Sequence, residues 1–241
     1  MRQNINGMKQ LSISLLFVIL FTACTDTSEN TMIVTGEVKG LKKGVLYLQK
    51  VSDTTLVTLD SLDVKGDGNF AFTTSLDSPQ IFYLYLKKED NNDINDRITF
   101  FGEPGTITIN TSWNAFDKKA VIEGSATQKK LEEYGKIMSR FNTQNLEQVR
   151  ASVDPNLIND PAAVDSLQAA YEQNIRRSYL FALNFALSNT ESHIAPYIAL
   201  TEVADANITY LDSIYNSLSP EVANGTYGQA LKKHLNEVRE N

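Results

Sequence analysis

Ala120-Val-Ile-Glu-Gly-Ser-Ala-Thr-Gln128 is the stretch on which the fold turns. Up to Glu123 the chain reads as short strands; after Gly124 the apolar residues recur every three to four positions. Ser125-Ala-Thr-Gln128 has the form of a capping box, in which the serine hydroxyl caps the third helical N–H and Gln128 reaches back. Beyond it Leu131, Tyr134, Ile137 or Met138, and Phe141 line one helical face. The boundary between a β half and a helical half therefore falls near Gly124.

Working back from that boundary, turns and strands alternate to Met32. The strands expected are Met32–Val38, Val45–Val51, Leu56–Val64, Asn69–Thr74, Ile81–Leu86, Arg97–Phe101, Thr106–Asn110 and Ala120–Glu123. Lys65-Gly-Asp-Gly68 marks a hairpin, because Asp-Gly suits positions that need positive φ. Short strands separated by such turns indicate an antiparallel β-sandwich or a partly closed barrel. Aromatics gather at Phe82, Tyr83, Tyr85, Phe100 and Phe101. On adjacent antiparallel strands these are expected to be cross-strand core pairs.

Forward from the boundary, Asp160-Pro161 supplies a cap and a proline at the first helical position. A second helix follows through Val164, Leu167, Tyr171 and Ile175, towards Leu187. Val153 to Asp160 reads as the internal loop between the two. Shorter helices are expected over Ile194–Ala204, Ile208–Leu218 and Tyr227–Val238. A run of strands followed by a run of helices is the α+β pattern. The expected organisation is a leader over residues 1–23, a tether over 24–31, an antiparallel β domain over 32–124 and a helical domain over 125–241.

The leader sets the cellular reading. Arg2 and Lys9 precede an uncharged apolar run from Leu11 to Ala23, which fits a signal-peptide core and is too short to span a bilayer as a helix. Phe21-Thr-Ala-Cys24 resembles a lipobox, with small residues leading to the chain's single cysteine. The expectation is cleavage before Cys24 and attachment of lipid to its thiol. Phe21 stands where leucine is usual in that motif. Several acyl chains on one residue make anchoring close to permanent. Thr25, rather than aspartate, follows the cysteine, which favours the outer membrane over the inner. With Cys24 lipidated no thiol remains, so neither a disulfide nor a C-x-x-C pair is expected in the mature chain.

Composition narrows the function classes. At 42% hydrophobic and 21% charged residues, the chain is too apolar for general disorder. The net charge is −7, and removal of the first 23 residues, which carry Arg2, Lys9 and no acid, leaves −9. A surface that acidic repels nucleic acid.

No motif for catalysis stands out. Glu89-Asp-Asn-Asn-Asp-Ile-Asn-Asp96 is rich in oxygen ligands, but it lacks the glycine and the final glutamate of a calcium loop in register, and reads as a solvated hairpin loop. His193 and His234 sit in separate helical segments without a second ligand at metal spacing, so zinc is not expected. No Gly-x-Ser-x-Gly elbow marks a nucleophile. Val64-Lys-Gly-Asp-Gly68 leads into a strand and cannot cradle phosphate as a P-loop does. Trp113, the sole tryptophan, lies just past a strong strand and is the aromatic residue expected at a ligand or partner surface.

Several stretches together resemble a known family. They are Val34-Thr-Gly-Glu-Val38, Gly44-Val-Leu-Tyr-Leu48, Asp60 to Phe72, Phe100-Phe-Gly-Glu-Pro-Gly105 and Ile122-Glu-Gly-Ser125. Tyr215 to Val222 and Gly225-Thr-Tyr-Gly228 fit as well. The sequence resembles the domain of unknown function that precedes a thioredoxin-like domain in Gram-negative lipoproteins of the thiol:disulfide interchange or peroxiredoxin type. The resemblance implies a thioredoxin-like domain further on, with a reactive C-x-x-C that matches nothing here up to Asn241. The function expected is a lipid-anchored, non-enzymatic binding or interaction module of the cell envelope without a cofactor, its membrane contact made through Cys24. A separate thioredoxin-like envelope protein is the partner the resemblance implies. The alternatives are a non-catalytic fragment of a thiol:disulfide oxidoreductase acting with such a chain, and a glycan-binding or structural surface lipoprotein.

Overall fold

A strand buried on one face and wet on the other alternates its side chains, and most strands of the β half follow that rule, whereas residues 55–61 are exposed on both faces. The computed structural model describes residues 30–52, 54–88, 96–155, 157 and 159–240. Its strands are β1 (Thr31–Lys39), β2 (Lys43–Ser52), β3 (Thr55–Lys65), β4 (Asn69–Ser75), β5 (Gln80–Lys87), β6 (Asp96–Gly102), β7 (Gly105–Ser112) and β8 (Val121–Glu123). They form two four-stranded sheets, ordered β4-β1-β7-β8 and β3-β2-β5-β6. Met32, Val34, Ile107 and Ile109 from the first sheet meet Leu46, Leu48, Phe82, Leu84 and Phe100 from the second in one buried core. All paired strands run antiparallel except β1 and β7, which are parallel. A parallel pair needs a long crossover, and here the chain from β2 to β6 supplies it, building all four strands of the opposite sheet and adding β4 beside β1.

Two glycines let the sheets close. An ideal Cβ on Gly36 of β1 would lie 1.9 Å from the carbonyl oxygen of Ile109 in β7. The regular pairing of β1 with β7 breaks there, and the Glu37 N–H donates instead to Asn110 Oδ1 at 3.1 Å. Gly124, at φ +96°, brings the chain equally close to the carbonyl of Thr106 as it leaves β8.

The helices are α1 (Ala126–Ser152), α2 (Pro161–Ser188), α3 (Ile194–Glu202), α4 (Ile208–Ser217), α5 (Pro220–Asn224) and α6 (Thr226–Glu240). The cap at Asp160 forms as expected, its carboxylate accepting from Ala162 and Ala163 N–H. The capping box at Ser125 forms only by half. Ser125 Oγ accepts from Gln128 N–H at 2.9 Å, but Gln128 Oε1 turns to the sheet and accepts from Phe101 N–H at 2.8 Å. Glu103, in the turn after β6, completes the cap by accepting from the Ala126 and Thr127 N–H groups and the Thr127 hydroxyl. A carboxylate at a helix N-terminus also opposes the helix dipole.

The helical half builds its own core, and it docks on the outer face of the second sheet. Ile81 and Phe101 point away from the sandwich into that core. Phe100 and Phe101 are therefore neighbours in sequence that serve different cores. Phe100 stacks on Phe82 at 5.9 Å inside the sandwich, while Phe101 meets Tyr197 and Tyr227 edge-on at 5.8 and 6.0 Å. Tyr227 Oη accepts from Ile81 N–H at 3.1 Å, and Thr226 N–H donates to Ser78 Oγ at 2.8 Å. Burial at this seam pushes the Tyr227 hydroxyl up to about 12.

Candidate functional site

Of the residues singled out in the sequence, Cys24 lies outside the described residues, as do residues 89–95 of the acidic run. Asp96 is described, and its carboxylate forms an ion pair with Lys88 in which both side chains are mostly buried. Trp113 is 44% exposed. Its indole lies against Gly40, where an ideal Cβ would come within 2.8 Å of it, and Lys88 Nζ sits 5.8 Å from the ring centroid. Trp113 is thus a partly exposed ring flanked by Gly40 and Lys88.

The two histidines have different surroundings. A nitrogen of His234, Nε2, lies 2.8 Å from the Ala204 carbonyl oxygen. His193 precedes α3, is buried, and has no hydrogen-bond partner on either nitrogen. It lines a cleft of about 340 Å³ together with Glu103, Lys130, Ser192 and Glu221. Among the described residues, neither nitrogen of His193 is hydrogen-bonded to a serine or a carboxylate. Among the described residues no group of three or more His, Cys, Asp or Glu side chains is placed to hold a metal ion.

Burial lowers the His193 pKa below its ordinary 6.5, against opposing pulls from Glu221 and Glu103. The unfolded chain thus takes up this proton at a higher pH than the folded one. Stability is expected to decline as pH falls through 6.5 and to level off below the folded value. Thermal melts from neutral to mildly acidic pH should show that decline, and His193→Gln should flatten it.

The chemically richest surface is one for which the core expectation needs correcting. Tyr83 and Tyr85 are not in the sandwich core. They alternate with Phe82, Leu84 and Leu86, which are, and so project from the outer face of the second sheet, half-buried. There Tyr47, Tyr85 and Arg97 stand side by side on β2, β5 and β6, and Gln49, Tyr83 and Thr99 form the next row. Tyr47 and Tyr85 stack at 5.8 Å, 27° from parallel. The Arg97 guanidinium lies over the rings of Tyr83 and Tyr85, at 5.3 and 5.6 Å. Its Nε is buried without a partner, as is Oε1 of Gln49, whose amide donates to Thr58 Oγ1 at 3.0 Å. The helices cover this face up to Tyr83, which packs against their core, and leave Thr99 exposed. The signal for this surface was in the period-two pattern of Ile81 to Leu86, where two tyrosines share one parity.

These elements define an α+β protein: a two-sheet sandwich followed by helices, with one end of a sheet's outer face covered and the other open. Residues 32–131 match the family model described as a domain of unknown function, DUF4369. That match runs from the second residue of β1 through β8 to the start of α1, and it bears out the resemblance to a domain of unknown function. No curated protein and no solved structure matches the chain.

Proposed function

We propose that this chain is a lipid-anchored binding module of the cell envelope, non-enzymatic, and held at the membrane through Cys24. The observation that carries the reading is the Phe21-Thr-Ala-Cys24 junction at the end of an uncharged apolar leader, a few residues ahead of a fold that begins at Thr31. The half-buried row of Tyr47, Tyr85 and Arg97 supports a binding role, since it sets an arginine with no ion-pair partner among the described residues at the end of the sheet face that the helices leave uncovered. No described helix is long and apolar enough to cross a membrane, and lipid is the anchor proposed. The outer membrane is the favoured site, on the strength of Thr25 after the cysteine.

Labelling cells with a palmitate analogue tests the anchor directly. The protein is expected to take up label, and Cys24→Ala is expected to abolish it and release the chain from membranes. Label that persists in Cys24→Ala would sink the proposal. The partner implied by the family resemblance, a thioredoxin-like envelope protein, should appear when the lipidated protein is pulled down from its native envelope.

A further inference from the structure

At the joint between α5 and α6 a titratable ring is packed where neither of its nitrogens finds a partner. His193 is 6% exposed, and its Nδ1 and Nε2 are both buried without a hydrogen bond. Buried polar atoms are nearly always satisfied, so such a ring calls for an explanation. The neutral imidazole is tolerated there, whereas the charged form would hold two N–H donors with no acceptor. Gly225 packs on the ring. An ideal Cβ on that glycine would lie 2.6 Å from Cε1 and 2.7 Å from Nδ1 of His193, and 3.4 Å from Ser78 Cβ. The next residue, Thr226, is stitched to the β4–β5 loop: its N–H donates to Ser78 Oγ at 2.8 Å, and the two hydroxyls are 2.8 Å apart. Tyr227 then accepts from the Ile81 N–H. The His193 ring and the stitch that holds α6 to the second sheet therefore meet at one glycine. We propose that His193 is a pH-sensitive latch: protonation drives its ring from under Gly225 into the neighbouring cleft, and the bonds of Thr226 and Tyr227 to the sheet side open while the sandwich stays folded.

The cleft is suited to the charged ring. It is lined by Glu221 from α5, Glu103 from the turn after β6, Glu191 from the turn that leads into His193, and Lys130 from α1. Glu221 and Glu103 draw a proton towards the ring, and burial outweighs them while the ring stays in place. Lys130 donates to Asn189 Oδ1 at 2.7 Å, and Glu103 is engaged at the start of α1. Glu221, exposed in the first turn of α5, is the receiver. The β4–β5 loop brings Pro79 to the cleft. From α6 the nearby titratable group is Tyr227, which is pushed up to about 12 and stays neutral throughout. Above the ordinary histidine value of 6.5 the ring is neutral and the latch shut. As pH falls below it, the open form, with its ring in the cleft, takes up the proton first. The inference goes beyond the binding role above and does not depend on lipid at Cys24.

The test is hydrogen–deuterium exchange of the full chain in detergent from about pH 7.5 to about pH 5, corrected for the intrinsic pH dependence of exchange. Protection of the Ile81 and Thr226 N–H groups is expected to fall at least about tenfold across that range. The amides of β2, which pairs with β5 inside the sandwich, are expected to keep theirs. His193→Gln, which cannot gain a charge, is expected to abolish the fall, and Glu221→Gln to move it to lower pH. Should His193→Gln not fold, Glu221→Gln carries the test. The proposal is overturned if wild-type protection at Ile81 and Thr226 is independent of pH, or if folded His193→Gln shows the wild-type fall. It is equally overturned if Glu221→Gln leaves the fall where it was, or if β2 loses protection in step, which is unfolding of the whole chain. Each of these results leaves palmitate labelling at Cys24 unaffected, so this proposal and the anchor fail separately.

Discussion

Phe101→Ala is expected to destabilise the protein by about 3–5 kcal/mol, the range for removing a buried phenylalanine, and to do so from the helical side. Its ring is fully buried and meets Tyr197 and Tyr227, while the sandwich core is filled by its neighbour Phe100. The cavity therefore opens in the seam, where Ile81 and Tyr227 also meet. Denaturant titration should show the helical circular dichroism lost earlier than in the wild type. The fluorescence of Trp113, which sits on the sandwich, reports the other half. Phe100→Ala should reverse the order, striking the Phe82 stack first. Coincident transitions in both variants would show instead that the two cores melt as one cooperative unit.

Gly36→Ala is expected to cost on the order of 4 kcal/mol, at the upper end for a single substitution. The added methyl would sit 1.9 Å from the Ile109 carbonyl oxygen, a distance no side-chain rearrangement relieves because both groups belong to the backbone of paired strands. The parallel pair has to separate, and β1 carries Met32, Val34 and Val38 into the core. Gly66→Ala is the control. Its φ is also positive, at +127°, but its Cβ would meet nothing, so the cost is confined to backbone strain of roughly 1–2 kcal/mol. Comparing the two midpoints separates steric closure from conformational preference. A Gly36→Ala midpoint no lower than that of Gly66→Ala would refute the closure argument.

Much of this architecture is legible in the residues because local chemistry and tertiary packing agree. Most strands announce themselves by parity, since a sandwich buries one side and wets much of the other; β3 is exposed on both sides over most of its length. The start of α2 is written in Asp160-Pro161. The change of period at Gly124 is sharp because a strand edge and a helix cap meet there. What stayed hidden depends on partners remote in sequence. The Pro220–Asn224 helix has only five residues, too few to show a period. The parallel pairing of β1 with β7 leaves no trace in either strand, because both alternate in the same way whichever neighbour they find. Gln128 looked like half of a local box, but the N–H of Phe101 at the β6 edge claimed its oxygen. Tyr83 and Tyr85 read as core because β5 is apolar on both sides of Tyr83. One side faces the sandwich, and the other is apolar only at Ile81, where the helices land.

The candidate surface follows from that last arrangement. A composition count cannot separate tyrosines that fill a core from tyrosines that line a floor, and only the placement of the helices decides it. His193 is similar: its place before a helix does not tell whether it is buried, and in the fold it is, with Gly225 packed against its ring.

The parallel pairing of the first strand also sets an order in time. Both flanks of β1 are filled by later segments, β4 on one side and β7, residues 105–112, on the other. As a chain appears N-terminus first, the second sheet has all four of its strands before the first sheet can close around its own centre. Long-range pairing of this kind is slow and leaves apolar strand edges uncovered meanwhile. The strand nearest the proposed lipid is thus the earliest to arrive and among the last to be enclosed.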